Sequence, residues 1–455
     1  MKEKHSNSYY LSTAPVHKSI MHLSIPMMLG MSAGTLYNLI NAFFIGLVHD
    51  TGMFSAITLG LPIFTVLMAF GNMFGVGGGT FITRLTATGE GEKAKKVAGY
   101  SLYFSLAAGL LIALISWLFI TPIVHGLGAN QAVYAYTSQY AMTLLAGGAI
   151  VIVNFALEQL VRSEGASKES MYGMFISIVA SILLDVIFIL IFDWHVFGAA
   201  LSIVLANACS AAYYIWYLSY RSENLRGFLK HWKLNLQDQL EVYKIGVSEL
   251  LQTSFLIVST LLLNHYAMTF GDHIVAGFGI ALRIVQLPEF LTMGIFMGII
   301  PLVAHNFASG NFARLKATYK QATLYIAGIA VIFIGIVYVF KEQVIRLFSS
   351  DISVLEAGTA ILIAMLISAL FTGLTGLFTG IFKAAGEGIP TNVMAICQGT
   401  LFIPVIIIFH KYFGLTGVIW SMTITEIITS VLGLILFVFH YRRISQKNNQ
   451  LVVNA

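Results

Sequence analysis

Six charged residues stand inside long apolar runs: Glu158, Asp185, Glu249, Arg283, Glu289 and Glu426. Asp185 is set within the otherwise uncharged run SILLDVIFIL at 181–190. A charged side chain at the centre of a bilayer costs about 2.5–3.5 kcal/mol on insertion scales, so each of these must face a protein interior or a wet cavity. A carboxylate held there can take up and release a proton, neutralise an organic cation, or coordinate Na⁺. The three roles compete for one group. Competition of that kind couples the movement of one cation to that of another.

The six are not equivalent. Glu158 lies in NFALEQ with Arg162 close behind it, so it can titrate with Asp185 or serve as a packing partner. Glu289 follows Pro288, and Arg283 is six residues earlier, the wrong spacing for direct neighbours on a helix. Glu249, five residues past Lys244, reads as part of a half-solvated helix start. Glu426, in TITEIITS, can serve the second half of the chain as Asp185 serves the first.

Other chemistry is missing from the sequence. GVGGGTF at 75–81 sits in an apolar run without a following Lys-Ser/Thr pair, so it reads as close helix packing rather than a phosphate loop. The 12 histidines show no metal spacing, and no nucleophile–base–orienter set can be assembled. The expectation is therefore not an enzyme, with no metal and no cofactor beyond a coupling ion. Cys209 and Cys397 both lie in apolar runs, so disulfides do not hold the fold.

The elements that must position these groups follow from composition. The 455 residues are 58% hydrophobic and 10% charged, against about 25% charged in soluble domains. Apolar runs long enough to span a bilayer fall at 17–42, 54–84, 97–120, 134–160, 171–192 and 197–219. Six more fall at 243–268, 274–306, 321–340, 355–381, 393–410 and 415–440. The expectation is an all-α polytopic membrane protein of twelve transmembrane helices. Of 25 Lys and Arg, 21 lie on the side of the termini and only Lys341, Arg346 and Lys411 on the other, which predicts cytoplasmic termini. That asymmetry also accounts for the +5 net charge without a nucleic-acid partner.

The hydrophilic stretch 220–241 divides the spans six and six. ATGEGEKAKK at 87–96 aligns with ASGNFARLKA at 308–317, and the same shift of 221 sets RSEGASKES at 162–170 on KAAGEGIPT at 383–391. An even number of spans per copy gives both copies one orientation. The prediction is an N-terminal lobe 1–219, a cytoplasmic linker 220–241 and a C-terminal lobe 242–455. The two six-helix lobes would be related by a pseudo-twofold axis along the membrane normal.

The stretches SIPMMLGMSAGTLYNLINAFFIG (24–46), SAITLGLPIFTVLMAFGNMFGVGGGTFITRL (55–85), LEQLVRSEGA (157–166) and FGLTGVIWSMTITE (413–426) resemble the multidrug and toxic compound extrusion (MATE) transporters. The resemblance runs over essentially the whole chain. It implies export of cationic amphipathic drugs and dyes by antiport with H⁺ or Na⁺, through alternating access, in a bacterial cell membrane and as a functional monomer. The expected partners are small amphipathic cations and membrane lipids. On the same resemblance Asp185, with Glu158, is the coupling carboxylate. Pro26 is the first-helix hinge, and Tyr37, Asn38, Asn41, Asn154, Ser181 and Ser202 line the N-lobe pocket. Asn41 stands where many members carry an acid, and Ser181 where many carry Asn, so the cation cluster is thinner here. Glu289, Arg283 and Glu426 are the C-lobe candidates. The alternative is a flippase for a lipid-linked precursor. It is disfavoured because the spans offer Arg283 alone, against five carboxylates, to an anionic substrate.

Overall fold

The structure is a computed structural model that describes residues 6–47, 51–349 and 351–453, with the side chains of 35–47, 51 and 447–453 outside the description. Among the described residues the regular structure is helical throughout. The first half runs α1 (Asn7–Ser12), α2 (Val16–Leu47), α3 (Thr51–Ala87), α4 (Gly91–Leu118), α5 (Ile120–Gly126), α6 (Tyr134–Ala146), α7 (Gly148–Ser163), α8 (Ser167–Asp185) and α9 (His195–Tyr220). The second half runs α10 (Leu236–Met268), α11 (Asp272–Ala308), α12 (Phe312–Val339), α13 (Lys341–Arg346), α14 (Ile352–Ala385) and α15 (Gly388–Val453).

Nine helices among the described residues are long and apolar enough to cross a membrane, and the pair α6–α7, bent by 52°, makes a tenth. Helix α15 crosses twice, because Gly414 breaks it with φ 55° and ψ −131°. Helix α2, 32 residues with Pro26 inside it, completes the expected twelve.

The repeat is written in the backbone. Gly89 and its repeat counterpart Gly310 have φ of 84° and 72°; Gly165 and its counterpart Gly386 have 77° and 74°. A left-handed residue just past a helix end is strained for any side chain but comfortable for glycine. The hydrogen bonds repeat as well: Glu90 N–H to Leu85 C=O at 2.8 Å is matched by Asn311 N–H to Asn306 C=O at 3.0 Å. Both are the six-residue closure that satisfies a helix's last carbonyls.

Contacts divide the chain into two compact units, Met1–Leu11 with Leu29–Thr253 and Ser12–Met28 with Ser254–Ala455. The sequence division at 219 and 242 follows chain order, whereas these units exchange the starts of α2 and α10. In the first unit Lys93 ion-pairs with Asp238 on α10 at 2.9 Å. In the second its repeat counterpart Arg314 donates to Ala14 C=O and, at 2.9 Å, to Ser19 Oγ on α2. Glycines make the same match. A Cβ at Gly77 would strike the Val242 carbonyl of α10, and one at its counterpart Gly298 would meet Ser24 and Leu23 of α2. Small residues let membrane helices approach to backbone contact. Helix α2 passes from one unit to the other between Met28 and Leu29, just beyond Pro26.

The linker is tethered to the first unit. Glu164 Oε1, just past α7, accepts from Ser222 Oγ at 2.7 Å and Asn224 N–H at 2.9 Å. Burial pushes its carboxyl up to about 7 against those hydrogen bonds, so the tether changes charge near neutral pH.

Gly77→Val and Gly298→Val should each cost about 1–3 kcal/mol, the usual penalty for overpacking. Gly328→Ala, with nothing within 4 Å of its new Cβ, should leave the thermal midpoint of the detergent-solubilised protein unchanged.

Candidate functional site

Asp185 is 1% exposed and is the last residue of α8. Immediately beyond it the chain winds into a π-helical turn, Val186–Ile191, a geometry that recurs at functional sites. The turn into α9 is tight: Asp193 and His195 have φ of 56° and 46°, left-handed values that strain non-glycine residues. The Phe188 and Trp194 rings stack at 5.1 Å, and Gly198 brings α9 against the Phe188 backbone. These contacts set Ser202 of α9 opposite Asp185.

Ser202 Oγ has two acceptors in reach, Asp185 Oδ1 and its own-helix Ala199 C=O at 2.9 Å. A hydroxyl carries one hydrogen and can also accept. When Asp185 is ionised, Ser202 donates to it. When Asp185 is protonated, the acid donates to Oγ and the serine hydrogen turns to Ala199. Both charge states therefore keep their hydrogen bonds, which lets a buried carboxyl exchange a proton without leaving an unmet donor.

Tyr140, on α6, lies within electrostatic reach of Asp185, and Gly60 on α3 leaves the room its ring occupies. Ser181 is buried one turn before Asp185 on the same helix. About 8 Å further along α9, at 1.5 Å per residue, Asn207 accepts from Asn154 Nδ2 at 2.8 Å. The Asn154 Oδ1 is buried with no hydrogen-bond partner among the described residues, so this level of the unit holds a buried acceptor. The side chains of Tyr37, Asn38 and Asn41 lie outside the described residues, while Pro26 sits inside α2 as expected.

Glu158 stands elsewhere. It pairs with Arg162 at 2.7 Å, both side chains buried. Glu158 lies near the end of α7, whereas Asp185 closes the helix that follows, so the two differ in depth by about 20 Å at 1.5 Å per residue. Glu158 is thus an ion-paired member of the first unit's core, apart from the Asp185 group.

In the second unit Glu426 Oε1 accepts from Gln398 Nε2 at 2.7 Å, and its Oε2 is buried. Glu289 lies within electrostatic reach of Glu426. The hydroxyl of Thr375, also buried, is beside them. Arg283 is exposed and has no carboxylate within 4.0 Å among the described residues, so it does not join this pair. Sequence reading missed Tyr140, Asn207 and Gln398, which meet their partners through tertiary packing and carry no local signal.

The family model described as MatE matches residues 26–187 and 245–408. The chain belongs to the MatE family. The double match restates the duplication, because the second stretch begins and ends close to the repeat counterparts of the first. The chain is 39% identical to the Multidrug export protein MepA of Staphylococcus haemolyticus over 431 residues, covering 95% of each. It is 36% identical to that of Staphylococcus aureus over 449 residues, covering 99% of each. In fold it is similar to a crystal structure of MATE in complex with MaD3S, with a TM-score of 0.89 and 24% identity over 96% of this chain and 98% of that one. It is a multi-pass membrane protein, and not an enzyme.

Arg162→Ala strands a buried carboxylate and should lower stability by about 3–5 kcal/mol. The double change Glu158→Gln, Arg162→Met removes both charges and should recover most of that loss in the same thermal-unfolding assay.

Proposed function

We propose that this MatE chain exports cationic amphipathic drugs and dyes by antiport with H⁺ or Na⁺, alternating access between the two sides of the membrane. The observation that carries this reading is the Asp185–Ser202 pair, whose hydrogen bonding accommodates either charge state of the carboxyl. The curated relatives named multidrug export protein support it and do not favour the flippase alternative.

The physical logic is competition. An ionised Asp185 neutralises a cationic drug; a proton or Na⁺ arriving from the other side takes its place. Binding energy that would trap the drug is thereby cancelled, and the exchange is driven by the coupling ion. Tyr140, Ser181, Ser202 and the Asn154–Asn207 pair supply oxygens around the exchange site. Glu289 and Glu426 offer a second negative centre for the same cargo. Pro26, which removes one backbone hydrogen bond from α2, supplies the place where that helix bends. The excess of Lys and Arg in the loops on the side of the termini supports an inner-leaflet placement of both termini. On the family resemblance, the transporter acts as a monomer.

The test is ethidium efflux from proteoliposomes, under an imposed pH gradient without Na⁺ and then under a Na⁺ gradient at equal pH. The protein should export in one of the two regimes. Asp185→Asn should lower the rate by about tenfold or more and Ser202→Ala by severalfold, the order of a lost general acid–base group against a lost hydrogen bond. Undiminished efflux by Asp185→Asn contradicts the reading.

A further inference from the structure

Several basic side chains at the linker end of the first unit are paired: Lys93 with Asp238, Lys95 with Glu92, Lys244 with Glu241 and Arg84 with Glu241. Four are not. Arg221, Arg226, Lys230 and Lys233 are all exposed, and none has a carboxylate within 4.0 Å among the described residues. Among the described residues Arg226 donates to a neutral group, the Tyr220 carbonyl. The four fall in one short run of the linker, 221–233, and the only acid within that run, Glu223, pairs with none of them.

The stretch and the helix ends that flank it expose large apolar groups. Trp216, Tyr220, Trp232 and Leu236 are 45%, 65%, 58% and 71% exposed. Cations and rings are arranged together: the Arg221 guanidinium sits 5.8 Å from the Trp216 ring, and the Lys233 ammonium 4.8 Å from the Trp232 ring. Solvated linkers keep tryptophans covered; interfacial segments show them.

The segment is also held at a fixed height. Phe228 is fully buried, Gly99 on α4 lets the chain pass against it at Phe228 and His231, and Tyr103 donates to Leu229 C=O at 2.7 Å. Gly99 is two turns beyond the start of α4, so the linker folds back along that helix by about 12 Å. The apolar run 97–120 begins two residues before Gly99, so the linker packs against the first turns of that span.

We propose that the 221–233 linker segment is a binding site for anionic phospholipid of the leaflet it faces, with Arg221, Arg226, Lys230 and Lys233 on the headgroup phosphate and Trp216 and Trp232 against the acyl boundary. This surface is separate from the exchange site, and lipid binding there does not depend on drug antiport. A planar guanidinium and flexible ammonium groups match phosphate oxygens, and the exposed indoles exclude a purely aqueous polyanion as the preferred occupant.

The experiment is native mass spectrometry of the full-length protein in detergent, exposed to equal amounts of phosphatidylglycerol and phosphatidylcholine. The parent should retain phosphatidylglycerol in preference by about tenfold or more, given roughly fivefold per cation near an anionic headgroup. The Arg226→Gln, Lys230→Gln, Lys233→Gln protein should lose that preference, while Lys230→Arg, Lys233→Arg keeps it. Trp232→Ala should weaken retention of both lipids and leave the ratio between them. A melting curve in detergent alone, unchanged among the four, shows that folding is not what is being read. Equal retention of the two lipids by the parent overturns the proposal, as does an undiminished preference in the triple glutamine variant. Displacement of the lipid by an equally charged oligonucleotide at about 0.15 M salt overturns it as well, because the apolar half of the site would then have no role.

Discussion

A carboxylate almost wholly buried within a membrane span must be compensated wherever its charge resides, and Asp185 is compensated by a hydroxyl that can reverse its role. Ser202 donates to the ionised group or accepts from the protonated one, with the Ala199 carbonyl taking the spare hydrogen. Much of the surrounding local structure serves that arrangement. The π-helical turn after Asp185, the two left-handed residues at 193 and 195, and the Phe188–Trp194 stack all fix where α9 begins relative to the end of α8. A buried ion pair would hold the charge more permanently, as Arg162 holds Glu158. Of these two carboxylates in one unit, Glu158 faces a guanidinium and Asp185 a hydroxyl.

The duplicated scaffold supplies rigidity by the same means twice. Each unit contains the start of the other repeat's first helix, gripped by a cation and a glycine at equivalent positions of the two copies. Glycine is needed at Gly77 and Gly298 because backbone meets backbone there, and no rotamer can relieve a Cβ. Helix α2 changes unit just after Pro26. A proline there interrupts the hydrogen-bond ladder where the helix stops being packed by one unit and begins to be packed by the other.

Much of this was legible in the sequence, and the limits have physical causes. Twelve spans follow from hydropathy because the bilayer sets a length. The constant repeat shift predicted equivalent loops, and the paired left-handed glycines are those loops. The Glu158–Arg162 pair is an i,i+4 spacing, readable on any helix. Tyr140, Asn207 and Gln398 were not readable, since each reaches its partner through tertiary packing rather than spacing. Nor was the exchange of helix starts, because a chain that leaves one unit and re-enters another has the same local pattern as one that stays. The π-helical turn is invisible for a similar reason: VIFILI satisfies an α-helical pattern equally well.

The most direct test of a shared cation and drug site is proton release on drug binding. Ethidium is titrated into the detergent-purified protein in weakly buffered solution near neutral pH, with and without Na⁺, while free protons are followed by a dye. A shared site predicts that binding releases about one proton per ethidium, or that Na⁺ displaces the drug, and that Asp185→Asn abolishes the linkage. Ethidium bound by the parent protein with no proton released and no displacement by Na⁺ would contradict it.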